Sequence, residues 1–288
     1  TTSRRWSRRN NRPRAMANYF EQVLQNARKQ GKVKTSKASP AEPPQGRLDG
    51  LVALMNQRRL KEAVQQATAM AAAYPNAAIV FNILGAAQMG LRNLDGAAAS
   101  FGKAVQLRPG FAPAHNNLGV ALKDLGRLQE AAASFSKAVQ LKPDFAEAHF
   151  YLASSQQSLY RPGKEGDENK MRLDKAIEHY EKALEVNKGD TPNLQQIRMN
   201  TLGALPAMSS DPPLSNYEKA LAYAEQLVND NPNDTKNLYA MANLYEKFNR
   251  ITEAEQTYEK VAELNPTDAK ACGTLASFYN KPLWDEKG

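Results

Sequence analysis

The chain has 288 residues, 42% of them hydrophobic and 24% charged, and a mean hydropathy of -0.62. No apolar run approaches the ~18 to 20 residues that a membrane-spanning helix needs, and the single cysteine, Cys272, excludes an internal disulfide framework and any zinc site built on two or more cysteines. The formal charge of +8 is unevenly placed: residues 1–43 hold 11 basic and 2 acidic side chains, so the rest of the chain is nearly neutral.

Residues 1–15 contain six arginines, one tryptophan and no acid, a composition that cannot bury enough apolar surface to fold alone. Arg4, Arg5, Arg8, Arg9, Arg12 and Arg14, with Trp6 between them, suit phosphate or another anionic surface through guanidinium pairing and ring stacking. A twin-arginine export signal is rejected, because no apolar stretch of the needed length follows Ser3-Arg4-Arg5. A start at Met16, with the first fifteen residues as an upstream extension, is the remaining reading of this stretch. From Met16 to Lys32 the spacing of Tyr19, Phe20, Val23, Leu24 and Ala27 predicts an amphipathic helix that caps the next element or packs on a partner. Tyr19, Phe20 and Leu24 are its anchor residues, and residues 33–43 read as a linker.

The body is periodic. Phe81-Asn-Ile-Leu84-Gly85, His115-Asn-Asn-Leu118-Gly119 and His149-Phe-Tyr-Leu152-Ala153 recur every 34 residues. An alanine, an aromatic four residues later and another alanine three further on follow each: Ala97, Phe101, Ala104; Ala131, Phe135, Ala138; Ala176, Tyr180, Ala183. Prolines close units at Pro75, Pro109, Pro143, Pro232 and Pro266. Apolar residues three and four apart mark one face of each of two short helices per unit. One such hairpin cannot cover its apolar face, so the units must stack.

In this reading the units span 44–77, 78–111, 112–145, 146–190, 191–234 and 235–268, with a half unit at 269–288. Polar, turn-rich surplus residues predict surface loops between the paired helices at about 160–171 and 206–213. The half unit offers Leu275, Phe278 and Tyr279 on one helix and no second helix, which predicts either a covering partner or continuation of the chain. Residues 44–155 hold 25 alanines in 112, against 14 in 133 over residues 156–288, so the two halves differ in character.

The repeat resembles the tetratricopeptide repeat (TPR) family, with several motif positions agreeing in register over consecutive units. The stretches APAHNNLGVALKDLG and LKPDFAEAHFYLA are similar to the TPR region of protein O-GlcNAc transferases and of bacterial TPR-linked glycosyl- or sulfotransferases. This resemblance implies an all-α, right-handed superhelical solenoid with a groove lined by the first helix of each unit. Carried onto this sequence, the groove positions are Asn82, Met89, Asn116, Asn117, Lys123, Phe150, Gln157, Lys236, Tyr239, Asn243 and Glu246. Asparagine supplies both a donor and an acceptor, which suits an extended peptide backbone. Asn117 matches the asparagine of the transferase-like ladder, whereas Ile83 and Tyr151 depart from it. The lysine-asparagine clamp of chaperone-binding TPRs is replaced by Leu48 and Val52.

No catalytic apparatus emerges. His115 and His149 sit where the repeat prefers a bulky aromatic and read as packing residues, His179 beside Glu178 and Glu181 reads as part of a solvated face, and Cys272 reads as a small hydrophobe. Pro162-Gly-Lys-Glu-Gly166 lacks the spacing of a phosphate loop. The expectation is a non-catalytic scaffold without metal or cofactor, which holds a partner protein, an extended segment or a larger complex, in its groove and anchors through residues 1–43. It is expected in the cytoplasm or at the edge of a complex or membrane surface. Two alternatives stand beside it: a TPR regulatory region of a glycosyl- or sulfotransferase whose catalytic domain lies elsewhere, and an RNA-associated adaptor using the arm.

Overall fold

The computed structural model describes residues 42–161, 166–187, 197–201, 204–205 and 217–266. The arm, the amphipathic helix and nearly all of the linker expected over residues 1–43, the insertion at 206–213 and the half unit at 269–288 lie outside them. So do the anchor residues Arg4 to Leu24 and Cys272. The described residues form helices and no strand, as the repeat pattern requires. The chain divides into two units, residues 1–197 and 198–288.

The first unit contains four helical hairpins. They are α1 (Gln45–Asn56) with α2 (Leu60–Ala73), α3 (Ala78–Gly90) with α4 (Leu94–Leu107), α5 (Ala112–Asp124) with α6 (Leu128–Leu141), and α7 (Ala146–Leu159) with α8 (Asp167–Val186). Each helix packs on the one before it, and the first helix of each hairpin also touches the first helix of the next. In the second unit, α9 (Tyr217–Asp230) packs on α10 (Thr235–Lys247), which pairs with α11 (Ile251–Leu264).

Local chemistry explains the hairpins. Arg58, Arg92, Gly126 and Asn249 close the turns between paired helices with φ of 58°, 64°, 80° and 59°, a left-handed conformation that only glycine adopts without cost. Second helices then open on an arginine paired with a glutamate three residues later: Arg59 with Glu62, Arg127 with Glu130, and Arg250 with Glu253, each at 2.6 Å. Such exposed pairs orient side chains more than they stabilise. Asn93 caps α4 by accepting from the Gly96 amide at 3.1 Å, and Asp234 caps α10 by accepting from the Lys236 amide at 2.9 Å.

The aromatic residues of the second helices, Phe101, Phe135, Tyr180 and Tyr258, are buried. Each lies four residues after a buried alanine: Ala97, Ala131, Ala176 or Ala254. Gly85 and Gly119 let the paired helices close on these rings. A Cβ would stand 2.8 Å from the Phe101 ring at Gly85 and 2.6 Å from the Phe135 ring at Gly119.

The stretch expected to form a loop at 160–171 differs from that expectation, because residues 167–171 belong to α8, which is 20 residues long. Beyond Gly166 no helix breaker follows, and Asp167 and Glu168 favour a helix N-terminus. Asn169 holds the start in place: its Oδ1 accepts from the Arg161 amide at 2.9 Å and its Nδ2 donates to the Arg161 carbonyl at 2.8 Å.

Candidate protein-binding face

The first helices of successive hairpins bring the expected groove residues of the first unit into two groups. Asn82 on α3 and Asn117 on α5 meet directly, with Asn117 Nδ2 donating to Asn82 Oδ1 at 2.9 Å. Both are buried, as are Met89 and Asn116, and Asn116 Oδ1 has no hydrogen-bond partner among the described residues. These four side chains were expected to face a ligand, but packing of one first helix on the next encloses them instead. The amides of Asn82 and Asn117 bond to each other rather than standing open.

The second group is half-exposed and contiguous. Lys123 Nζ donates to Ser154 Oγ at 2.8 Å and lies 5.3 Å from the centre of the Tyr151 ring. Phe150 meets Tyr151 edge-on at 5.3 Å and approaches Tyr180 to 5.8 Å. The Tyr180 hydroxyl in turn donates to Gln157 Oε1 at 2.8 Å. Lys123, Phe150 and Gln157 are thus linked through Tyr151, Ser154 and Tyr180, of which the residue-by-residue transfer of groove positions included none. Tyr151 stands one residue after Phe150, at the place of Asn117 in the preceding repeat, and this is the signal that could have found it. It stacks on Phe135 at 5.4 Å. Burial pushes its phenol well above the ordinary range, and the Glu147 and Asp124 carboxylates push the same way. Burial likewise pushes the Tyr180 phenol up to about 12. Both phenols keep their protons at any physiological pH.

In the second unit Lys236 is exposed at the start of α10. Tyr239 approaches Tyr258 to 6.1 Å, and the Tyr258 hydroxyl lies 2.8 Å from Asn243 Oδ1 and 3.1 Å from Glu246 Oε2. Gln157, Asn243 and Glu246 therefore have a role inside the repeat: each stands where a buried tyrosine of the second helix must place its hydroxyl.

The histidines also depart from the simple pattern. His115 and His149 each turn Nε2 to a proline carbonyl, of Pro109 and Pro143, at 2.9 Å. His179 is not a solvated side chain. Its Nδ1 lies 3.2 Å from Nδ1 of His149, and it is half-buried because α8 packs this face against α7.

Helical hairpins that recur at a fixed spacing and close on buried aromatic rings through small residues define a helical-repeat protein. Three tetratricopeptide repeat models match the sequence, over residues 48–112, 112–145 and 214–279, together more than half of the chain. The chain belongs to the tetratricopeptide repeat family. No curated protein matches the sequence. Among solved structures it is similar to PilF of Pseudomonas aeruginosa, with a TM-score of 0.61 and 15% identity over 81% of this chain and 96% of that one. It is also similar to YrrB, described as a TPR protein with an unusual peptide-binding site, with a TM-score of 0.57 and 16% identity over 72% and 96% of the two chains. MamA gives a TM-score of 0.52 and 21% identity over 65% and 97%. At these identities the likeness is one of fold.

Proposed function

We propose that the chain is a protein-binding scaffold, in which Lys123, Phe150 and Gln157 of the first unit hold an extended segment of a partner protein. Members of this family generally mediate protein-protein and peptide interactions, and YrrB has a peptide-binding site. The observation that carries the reading is the contiguity of that group: an aromatic edge at Phe150, flanked by the Lys123 ammonium and the Gln157 amide, on neighbouring first helices. A half-exposed ring between polar tips suits a peptide side chain lying beside a backbone that needs hydrogen bonds. Lys236, Tyr239 and Asn243 offer a similar set in the second unit. Residues 1–43 act as a second anchor, on a protein partner or, through Arg4, Arg5, Arg8, Arg9, Arg12 and Arg14, on nucleic acid or another anionic surface, with the chain in the cytoplasm or at the edge of a complex.

Affinity capture with the full chain, a version lacking residues 1–43, and the double variant Lys123→Ala/Phe150→Ala tests this. The double variant keeps its helical signal and loses the captured partner. If it captures the same proteins as the parent chain, the groove reading fails. Binding of residues 1–43 to an anionic polymer falls steeply with salt if the arm is an electrostatic anchor.

A further inference from the structure

Three histidines occur in the chain, and two of them converge. His149 Nε2 lies 2.9 Å from the Pro143 carbonyl oxygen, which can only accept, so Nε2 carries the ring proton and Nδ1 of the neutral ring carries a lone pair. That lone pair faces His179 Nδ1 at 3.2 Å. In the metal-free pair the His179 Nδ1–H donates to it. When the His179 proton resides on Nε2 instead, both facing Nδ1 atoms, 3.2 Å apart, carry lone pairs.

We propose that His149 and His179 form a bidentate site for a borderline divalent transition ion of the copper(II) and zinc(II) class, bound through the two Nδ1 atoms. The spacing is close to what it needs: bonds of about 2.0 to 2.1 Å at a near-tetrahedral angle place two imidazole nitrogens roughly 3.3 to 3.4 Å apart, about 0.1 Å beyond the separation in the metal-free pair. Imidazole is the ligand these ions favour, and water completes the shell. The Pro143 carbonyl orients the His149 ring through its far N–H, the arrangement that metal-binding histidines generally use to hold one nitrogen free for the ion. Burial holds both imidazoles below their ordinary range, which favours the neutral, ligating form. At His149 the Pro143 carbonyl and the Glu178 and Glu185 carboxylates counteract this and Lys182 adds to it, while at His179 the His149 ring and Lys175 add to it and Glu178 counteracts it.

The preceding repeat supplies an internal control. His115 makes the same bond to Pro109. The residue corresponding to His179 is there Ser134, whose hydroxyl donates to the Glu130 carbonyl at 2.9 Å. The second imidazole is what distinguishes the fourth repeat.

The test is a titration of the full chain with copper(II) alone in a non-coordinating buffer, read by calorimetry and by the nitrogen hyperfine pattern in electron paramagnetic resonance. One saturable equivalent per chain with two coupled nitrogens is expected. It is lost in His179→Ala and in His149→Gln, and kept in His115→Gln and Cys272→Ala. His179 is half-buried, so His179→Ala, with an unchanged circular dichroism spectrum, decides the matter if the His149 variant does not fold. Absence of a saturable equivalent in the parent chain, or its survival in folded His179→Ala, overturns the site.

Discussion

Asn117 donates from Nδ2 to Oδ1 of Asn82 across the junction of α5 and α3, and both side chains are buried. Removing one partner leaves a buried amide unsatisfied, which costs about 1 to 3 kcal/mol. Asn82→Ala and Asn117→Ala each lower stability by that order in urea denaturation. The double variant loses less than the sum of the two, and a double-mutant cycle with no coupling would show that the bond contributes nothing.

Gly119 admits the Phe135 ring, and a methyl group there stands 2.6 Å from it. Gly119→Ala is expected to destabilise the protein by about 1 to 3 kcal/mol, the usual range for overpacking. Phe135→Leu in the same background recovers part of the loss, because the obstructing ring is gone. Thermal melts of the two variants test the pair.

Two repeats solve the same packing position with different pairs. The second has Phe101 and Met89, both buried, whereas the fourth has Tyr180 with its hydroxyl on Gln157. Tyr180→Phe alone strands the Gln157 carbonyl and costs on the order of 1 kcal/mol. Adding Gln157→Met restores most of that stability by reproducing the apolar pair of the second repeat. Equal stability of the single and double variants in urea would contradict this.

Arg58 adopts φ of 58° where the corresponding residue of the third repeat is Gly126. Arg58→Gly is expected to stabilise the protein by about 0.5 to 1 kcal/mol, the left-handed penalty exceeding the added chain entropy of glycine. Gly126→Ala moves stability the other way by a similar amount. A higher melting temperature for Arg58→Gly and a lower one for Gly126→Ala are the expected readings.

Burial holds the His115 imidazole below its ordinary value; the Pro109 carbonyl counteracts this and the Lys137 ammonium adds to it. The unfolded chain therefore binds the proton first as pH falls through about 6.5. The stability that comes from keeping His115 neutral is complete above that value and is lost as pH falls toward the folded-state value. The melting temperature is expected to drop between pH 7.5 and 5.5, and less steeply in His115→Gln, whose amide can still donate to Pro109. Melts in the presence of a chelator measure both slopes.

The hairpin architecture was legible because its requirements are local and repeated. Ala131, Phe135 and Ala138 announce a buried stripe, and Gly119 announces the close approach opposite it. What stayed hidden depends on side chains from different helices. His179 beside Glu178 looks like a solvated residue until α8 is laid against α7 and its ring meets His149 at 5.4 Å between centroids. The burial of Asn82 and Asn116 is set by how tightly successive first helices pack, which spacing along one helix does not report. Residues 167–171 read as loop because Pro162 and Gly166 dominate the local composition, yet Asp167 and Glu168 after Gly166 supply the acidic first turn that favours a helix start.

The long helix has a consequence for folding. α2, α4 and α6 each have 14 residues and α8 has 20, an excess of about 9 Å at 1.5 Å per residue. Near-identical hairpins can pair in the wrong order, since one second helix fits much the same slot as another. A helix that overshoots that slot, with its start held to Arg161 by Asn169, has only one position in the stack, and so removes the degeneracy that a chain of equal repeats would carry.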